Sequence, residues 1–294
     1  MRELVILSGK GGTGKTSLTA AFASFSCDMI LCDADVDAAD LHLLMAPDIL
    51  QKTEFQGGHE AVINWEKCTR CGFCIELCRF GAVKRTFEID PVECEGCGVC
   101  YDLCPEKAID FPVTTCGEWY ISDTRFGPMV HARLGIAQEN SGRLVALVRQ
   151  EARKIVRKNK IDLILTDGPP GIGCPVIASM GQANAVLIVT EPTVSGVHDL
   201  ERLGQLAAHF KIPAIVCVNK YDLNHDQTKA IKDLAREKNI SFAGVIPFDK
   251  NFTESMIQGK NIIETQENSQ AGIAVKKIWE NVMALPAMNS EQLI

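Results

Sequence analysis

The chain has no apolar run approaching the roughly 18 residues that a membrane-spanning helix needs. Basic charge is also in deficit: 30 Lys and Arg stand against 37 Asp and Glu, a net charge of −7. That balance argues against a broad nucleic-acid-binding face. The start does not join a basic stretch to a long apolar one, so no secretory leader is expected and the expected compartment is cytoplasmic. Disulfides are disfavoured in such a compartment, which leaves 13 cysteines to explain. Metal binding is the leading explanation. The hydrophobic fraction of 46% is that of an ordinary globular protein, and 294 residues point to about two domains.

What is present begins with Gly9-Lys10-Gly11-Gly12-Thr13-Gly14-Lys15-Thr16, which fits G-x-x-x-x-G-K-[ST]. An apolar run, Leu4–Leu7, reads as a buried strand before it, and Ser17–Ala23 reads as a helix after it. Strand, glycine loop and helix are the context the motif requires. The glycines let backbone N–H groups turn inward, and the helix N-terminus adds partial positive charge. Lys15 would reach the β- and γ-phosphates of a nucleotide, and the Thr16 hydroxyl would hold Mg²⁺. A second strand, Asp28–Cys32, ends in Asp33-Ala34-Asp35-Val36-Asp37, carboxylates at the strand end where open α/β sheets bind ligands. Asp37 is read as the cap of a short helix from Ala38 to about Leu44.

Eight of the cysteines fall between residues 68 and 104, as Cys68-x2-Cys71-x2-Cys74-x3-Cys78 and Cys94-x2-Cys97-x2-Cys100-x3-Cys104-Pro105. This is the bacterial two-cluster ferredoxin run written twice, in which the fourth cysteine serves the other cluster. One [4Fe–4S] cluster is therefore assigned to Cys68, Cys71, Cys74 and Cys104, and the second to Cys94, Cys97, Cys100 and Cys78. Gly72, Gly96 and Gly98 leave room for backbone N–H groups to approach sulfides. Arg79 stands where the second run has Pro105. Zinc is the rival metal for C-x2-C pairs, and a structural role for the clusters is the alternative to a redox one.

Beyond the insert, Gly117–Leu134 reads as a hairpin about Gly127-Pro128. A helix of about Arg143–Asn159, opened by Asn140-Ser141-Gly142, carries Arg149, Arg153, Lys154, Arg157 and Lys158 on a face read as solvated, with docking of an acidic redox partner as the alternative. The strand Ile161–Asp167 runs into Asp167-Gly168-Pro169-Pro170-Gly171, a Walker B carboxylate followed by a loop able to sense a γ-phosphate. Asn219-Lys220-Tyr221-Asp222 is a base-reading loop, and Pro247 and Phe248 would flank the base. Cys27, Cys32 and Cys217 read as core. The amphipathic Ala271–Met283 has only Lys276 and Lys277 as basic residues and is expected to pack on the nucleotide domain and not on a membrane.

Lys10 inside K-G-G-T-G-K-T, the acidic strand end, the Walker B loop and Asn219 together resemble the deviant Walker A group: Min and Par positioning ATPases, the nitrogenase iron protein and Mrp-type iron–sulfur carriers. The resemblance implies a mostly parallel, doubly wound α/β P-loop NTPase sheet over 1–54 and 113–294, with a ferredoxin-like domain inserted at 55–112. It implies that Gly9–Ser17 cradle ATP, and that Lys10 reaches across an ATP-dependent dimer, either a homodimer or a paralogous heterodimer. Asp35 would position the attacking water, with Asp33 and Asp167 nearer Mg²⁺. Asn219 and Lys220 would read adenine, although N-K-x-D also matches a guanine reader. Cys174 lies seven residues after Asp167, the offset of a cluster-ligating cysteine in the nitrogenase iron protein. It is either a bridging-cluster ligand, with Cys116 as a possible companion, or a small buried thiol. The leading expectation is an ATPase whose nucleotide state gates electron transfer through its clusters, serving a redox or iron–sulfur partner protein. The alternatives are a cluster scaffold or carrier, and a redox-sensing positioning ATPase.

Overall fold

The structure, a computed structural model, describes residues 1–135 and 141–289. Two units emerge. The first contains Met1–Lys52, Trp119–Arg133 and the described residues from Ser141 on; the second contains Thr53–Glu118 with Leu134 and Gly135. The chain leaves the first unit within one strand, between Lys52 and Thr53, and returns within another, between Glu118 and Trp119.

In order, β1 (Arg2–Ser8), α1 (Lys15–Phe22), β2 (Met29–Asp33), α2 (Leu41–Met45) and β3 (Asp48–His59) come first. The cysteine-rich stretch holds β4 (Val62–Ile63), α3 (Phe73–Leu77), α4 (Val99–Asp102) and β5 (Ile109–Asp110). Next are β6 (Val113–Thr124), β7 (Gly127–Leu134), α5 (Ser141–Asn159), β8 (Leu163–Pro170), α6 (Cys174–Met180), β9 (Ala185–Thr190) and α7 (Val194–His209). The chain continues through β10 (Ala214–Asn219), α8 (His225–Glu237), β11 (Ser241–Ile246), α9 (Asn251–Ile257), α10 (Ile262–Gln266), α11 (Gln270–Met283) and α12 (Pro286–Asn289). Asn140, read as part of the cap of α5, lies outside the described residues.

The large sheet has the order β11-β10-β9-β1-β8-β2-β7-β6-β3. Pairing is parallel from β11 through β7. Its central strands are mostly apolar, with runs such as Leu4–Leu7 and Ala185–Val189 buried throughout, because helices cover both faces. Successive residues of β1 feed opposite cores. Leu4 and Ile6 join Leu18, Phe22 and Trp279 on one side, while Val5 and Leu7 join Val176, Leu200 and Ile231 on the other. Helix α11 packs inward through Ala271, Val275, Ile278 and Val282, with Trp279 at 5.1 Å from the Phe22 ring. No helix among the described residues is long and apolar enough to cross a membrane.

Register decides what sits at the ligand-binding edge. Asp33 on β2 is paired with Asp167 on β8, which is also paired with Ile6 on β1. Three strand ends thus deliver the glycine loop and two carboxylates to one place.

Three readings are corrected. Arg149 and Arg153 are not on a solvated face. Arg149 is buried and donates through Nε to Glu3 Oε1 at 2.7 Å, while Arg153 donates through Nη2 to Glu3 Oε2 at 2.6 Å. Glu3, at the start of a central strand, needs those cations. Asp37 does not cap α2: the helix starts at Leu41, whose N–H donates to Asp33 Oδ2 at 3.3 Å. Cys27 is exposed, whereas Cys32 and Cys217 are buried.

In the second unit the two cysteine runs build matching pieces. Both α3 and α4 start from a left-handed glycine, Gly72 (φ 83°) and Gly98 (φ 75°). These positions favour glycine because a Cβ would strain them. Flanking the two runs in sequence, β4 and β5 pair antiparallel. Ala61, Ile63, Val83 and Ile109 form the small core, packed against six of the eight cysteines.

Candidate functional site

Helix α1 opens at Lys15 directly from Gly14, which holds φ 90° and has the Asn219 amide nitrogen 2.4 Å from where a Cβ would stand. Only glycine fits that approach. The first turn of α1 carries no acidic side chain, so its free N–H groups and dipole remain available to an anion. The Thr13 hydroxyl is buried in the same loop with no hydrogen-bond partner, a donor suited to a phosphate oxygen.

Lys15 is buried. Its ammonium donates to Asp167 Oδ1 at 3.0 Å and to Asp35 Oδ2 at 3.3 Å. Burial lowers its pKa, but the charges of Asp167 and Asp35 outweigh burial and hold it above the usual lysine value. Thr16 donates to Asp167 Oδ2 at 2.6 Å. Burial raises the Asp35 carboxyl, and the nearby Lys15 only partly offsets this. Burial, with the Asp167 charge beside it, raises Asp33 well above the usual carboxylate range. Both Asp33 oxygens accept backbone N–H groups, from Asp35 at 3.1 Å and Leu41 at 3.3 Å. Asp33 therefore orders the loop that presents Asp35. Asp35 lines the adjoining cleft; Asp33 and Asp167 do not.

That cleft measures about 560 Å³, a size suited to a nucleotide. It is lined by Gly11–Leu18 and by Asn219, Lys220, Pro247 and Phe248. Gly9 sits behind the loop, where a Cβ would stand 2.0 Å from that of Asp199. Ser17 donates to Met256 Sδ at 3.4 Å. Asn219 lines this cleft, where its amide donates to the Thr13 carbonyl at 2.8 Å and its Oδ1 accepts the Lys220 N–H at 3.0 Å. In this arrangement it braces the glycine loop. Phe248 is half exposed at the rim, its N–H held by Asp222 at 2.7 Å.

Lys10 points away from the cradle, to Ser195 Oγ at 3.3 Å and Glu191 at 4.0 Å. Glu191 also accepts from Lys220 at 2.6 Å. Two members of the site were not singled out from sequence. Thr19, which donates to Asp167 Oδ1 at 3.0 Å, lies one helical turn after Lys15, so the 3.6-residue period was a usable signal. Glu191 follows the end of β9, the same strand-end signal that marked Asp33 and Asp35.

In the second unit, one cavity is lined by Cys68, Cys71, Cys74 and Cys104. Another is lined by Cys78, Cys94, Cys97 and Cys100. Each set takes three cysteines from one run and one from the other. No three Cys, His, Asp or Glu side chains among the described residues gather at single-ion distance. Burial raises Cys78, but the backbone N–H groups of Val83, Phe80, Ala82 and Gly81 outweigh it and hold the thiol below its usual value. Cys104 Sγ accepts the Ala108 N–H at 3.3 Å. Cys174 is exposed at the first position of α6, so the buried-thiol reading is corrected. Cys116 is buried in the second unit, its thiol donating to the Thr114 carbonyl at 3.7 Å.

Similar proteins bear on the nucleotide-site geometry. An uncharacterized protein of Methanocaldococcus jannaschii, MJ0578, is 30% identical over 289 residues, covering 95% of this chain and 96% of the relative. The septum site-determining protein MinD of Synechocystis is 24% identical over 94% of this chain and 87% of its own length. Among solved structures, MinD complexed with Mg-ADP from Pyrococcus horikoshii superposes with a TM-score of 0.61 at 18% identity, over 99% of each chain, which speaks to fold. The model of the CobQ/CobB/MinD/ParA nucleotide binding domain matches residues 4–262. Because that match runs from β1 through the glycine loop to α10, the chain belongs to the CobQ/CobB/MinD/ParA nucleotide-binding family.

Proposed function

We propose that the chain binds and hydrolyses Mg-ATP at the α1 cradle, and that its nucleotide state gates electron transfer through two [4Fe–4S] clusters in the second unit. The observation that carries this reading is the division of eight cysteines into two crossed quartets, the ligand pattern of a two-cluster ferredoxin. Backbone N–H groups around Cys78 and Cys104 favour thiolate ligands. When bound, such clusters supply one-electron transfer. At the nucleotide site, Lys15 and the Thr13 hydroxyl would neutralise and orient phosphate oxygens, and Thr16 and Asp167 would hold Mg²⁺. Asp35, whose raised pKa makes it a stronger base, would position water. Lys10, free to leave Glu191, would serve a second protomer's phosphates in an ATP-dependent dimer. The exposed Cys174 is available as a bridging ligand in that dimer.

A second reading, a positioning or regulatory ATPase, is supported by the relatives named septum site-determining proteins. Anaerobic reconstitution discriminates. Two clusters give about eight iron atoms per chain, and iron clearly above that would implicate Cys174. Iron uptake together with an electron-transfer rate that changes on adding ATP supports gating. Iron uptake with a rate indifferent to ATP leaves the regulatory reading. Failure to retain iron removes the clusters altogether.

A further inference from the structure

One face of α5 carries Ala146, Arg149, Gln150, Arg153, Lys154 and Arg157. Together with Ala178, Gly181 and Gln182 at the end of α6, they line a cleft of about 450 Å³. This cleft is separate from the nucleotide cleft and from both cysteine cavities. Against it, the chain as a whole is acidic, at −7.

Some of this charge is internally compensated. Glu3 is a single carboxylate between Arg149 and Arg153, and Glu151 pairs with Lys154 at 2.7 Å. Arg153 is otherwise spent on the Gly181 carbonyl and the Gln182 side chain. A surplus of cations remains, with Arg157 exposed at the cleft wall. Arg149 gives Nε to Glu3 and Nη1 to the Ala178 carbonyl at 2.6 Å, but its Nη2 is buried without a partner. A buried guanidinium N–H left unpaired is costly, and a carboxylate oxygen is its natural complement.

We propose that the α5–α6 cleft is a docking site for an extended acidic segment of a partner protein. Shape favours that occupant. From Ala146 to Arg157 the lining spans about 16 Å of helix, the length of about five extended residues. A lone phosphate would use only a fraction of it. The lining includes Ala146, Ala178 and Gly181, small residues that let a backbone come close. The position also has a consequence. Arg149 and Arg153 donate to the Ala178 and Gly181 carbonyls at the C-terminal end of α6, the helix that follows β8 and the Gly171–Gly173 turn, so an occupant would touch the far end of that helix. The proposal does not rest on the cluster reading.

Fluorescence anisotropy of the full chain with a labelled oligo-glutamate peptide, against an oligo-glutamine control, tests it. Saturable binding of the glutamate peptide alone is expected, weakened at least roughly tenfold in Lys154→Glu/Arg157→Glu and less in Arg157→Gln, with the salt sensitivity of a charged contact. Nucleotide turnover should be unchanged in both variants, because neither residue lies at the nucleotide site; this also checks folding. No saturable binding, or equal binding by the double variant, overturns the proposal. So does displacement of the peptide by inorganic phosphate or a single-stranded oligonucleotide at matched charge, which would make this a phosphate or nucleic-acid site.

Discussion

Lys15 is a buried ammonium set against Asp35 and Asp167, with Asp33 close enough to add its charge. Substituting Lys15→Ala should lower kcat by roughly 100-fold or more, as for loss of a transition-state clamp, read by phosphate release. It should also destabilise the fold, and more at pH 8 than at pH 5. Burial already raises the carboxyls of Asp33 and Asp35, so without the cation they take up protons as pH falls and carry uncompensated charge at high pH. A deficit in melting temperature independent of pH would contradict this. His131 makes a second prediction. Burial, and then the neighbouring His42, push its imidazole down from 6.5 to about 4, and Ser122 Oγ lies 2.9 Å from its Nε2. Between about pH 6.5 and 4 the unfolded chain binds the extra proton, so stability falls as pH falls through this window. His131→Gln should flatten that part of the stability–pH curve, measured by urea unfolding at several pH values.

At the scale of elements, two ionic clamps hold helices. Glu3 ties β1 to α5 through Arg149 and Arg153 and also accepts from Thr166 at 3.3 Å. Glu3→Gln would leave two guanidiniums without a counter-charge at a cost of about 3–5 kcal/mol, seen as a lower urea midpoint. The second clamp is Arg125, in the turn between β6 and β7. It donates to the Leu44 and Met45 carbonyls at the end of α2, and to Glu264 at 2.7 and 2.8 Å. Since Leu44 lines the nucleotide cleft, Arg125→Ala should loosen α2. Nucleotide dissociation should then speed up several-fold in stopped flow, whereas a lost Arg125 contact that left the rate unchanged would show α2 to be held by other contacts. The apolar central strands, the glycine loop and the C-terminal helix were legible in the sequence, because apolar periodicity and glycine spacing are local signals, whereas the largely exposed β3 was not read as a strand. The burial of Arg149 and Arg153 was not. Their spacing on α5 resembles any charged surface stripe, and their partner Glu3 lies some 146 residues away. The start of α2 at Leu41 was equally hidden, because its capping carboxylate is Asp33, eight residues back, and not the adjacent Asp37.

At the scale of the molecule, the chain has a nucleotide unit and a cysteine unit, and each has its own test. Lys10→Ala should abolish ATP-dependent dimerisation in sedimentation velocity while leaving the monomer's melting temperature within about 1 °C, since an exposed pair with Glu191 contributes little. Cys78→Ser should remove one thiolate from the set it forms with Cys94, Cys97 and Cys100, and so lower reconstituted iron from about eight to about four per chain. Sequence by itself determined the α/β class, the phosphate loop with Lys15 and Thr16, and the two C-x2-C-x2-C-x3-C runs. Each is a short-range pattern whose chemistry depends on neighbours in the chain. Only the tertiary structure decided which carboxylates meet Lys15, that Asn219 braces Thr13, and that Arg149 is buried with an unpartnered nitrogen. Those outcomes depend on strand register and helix packing between residues far apart in sequence, where burial fixes the charge a side chain carries and the partner it keeps.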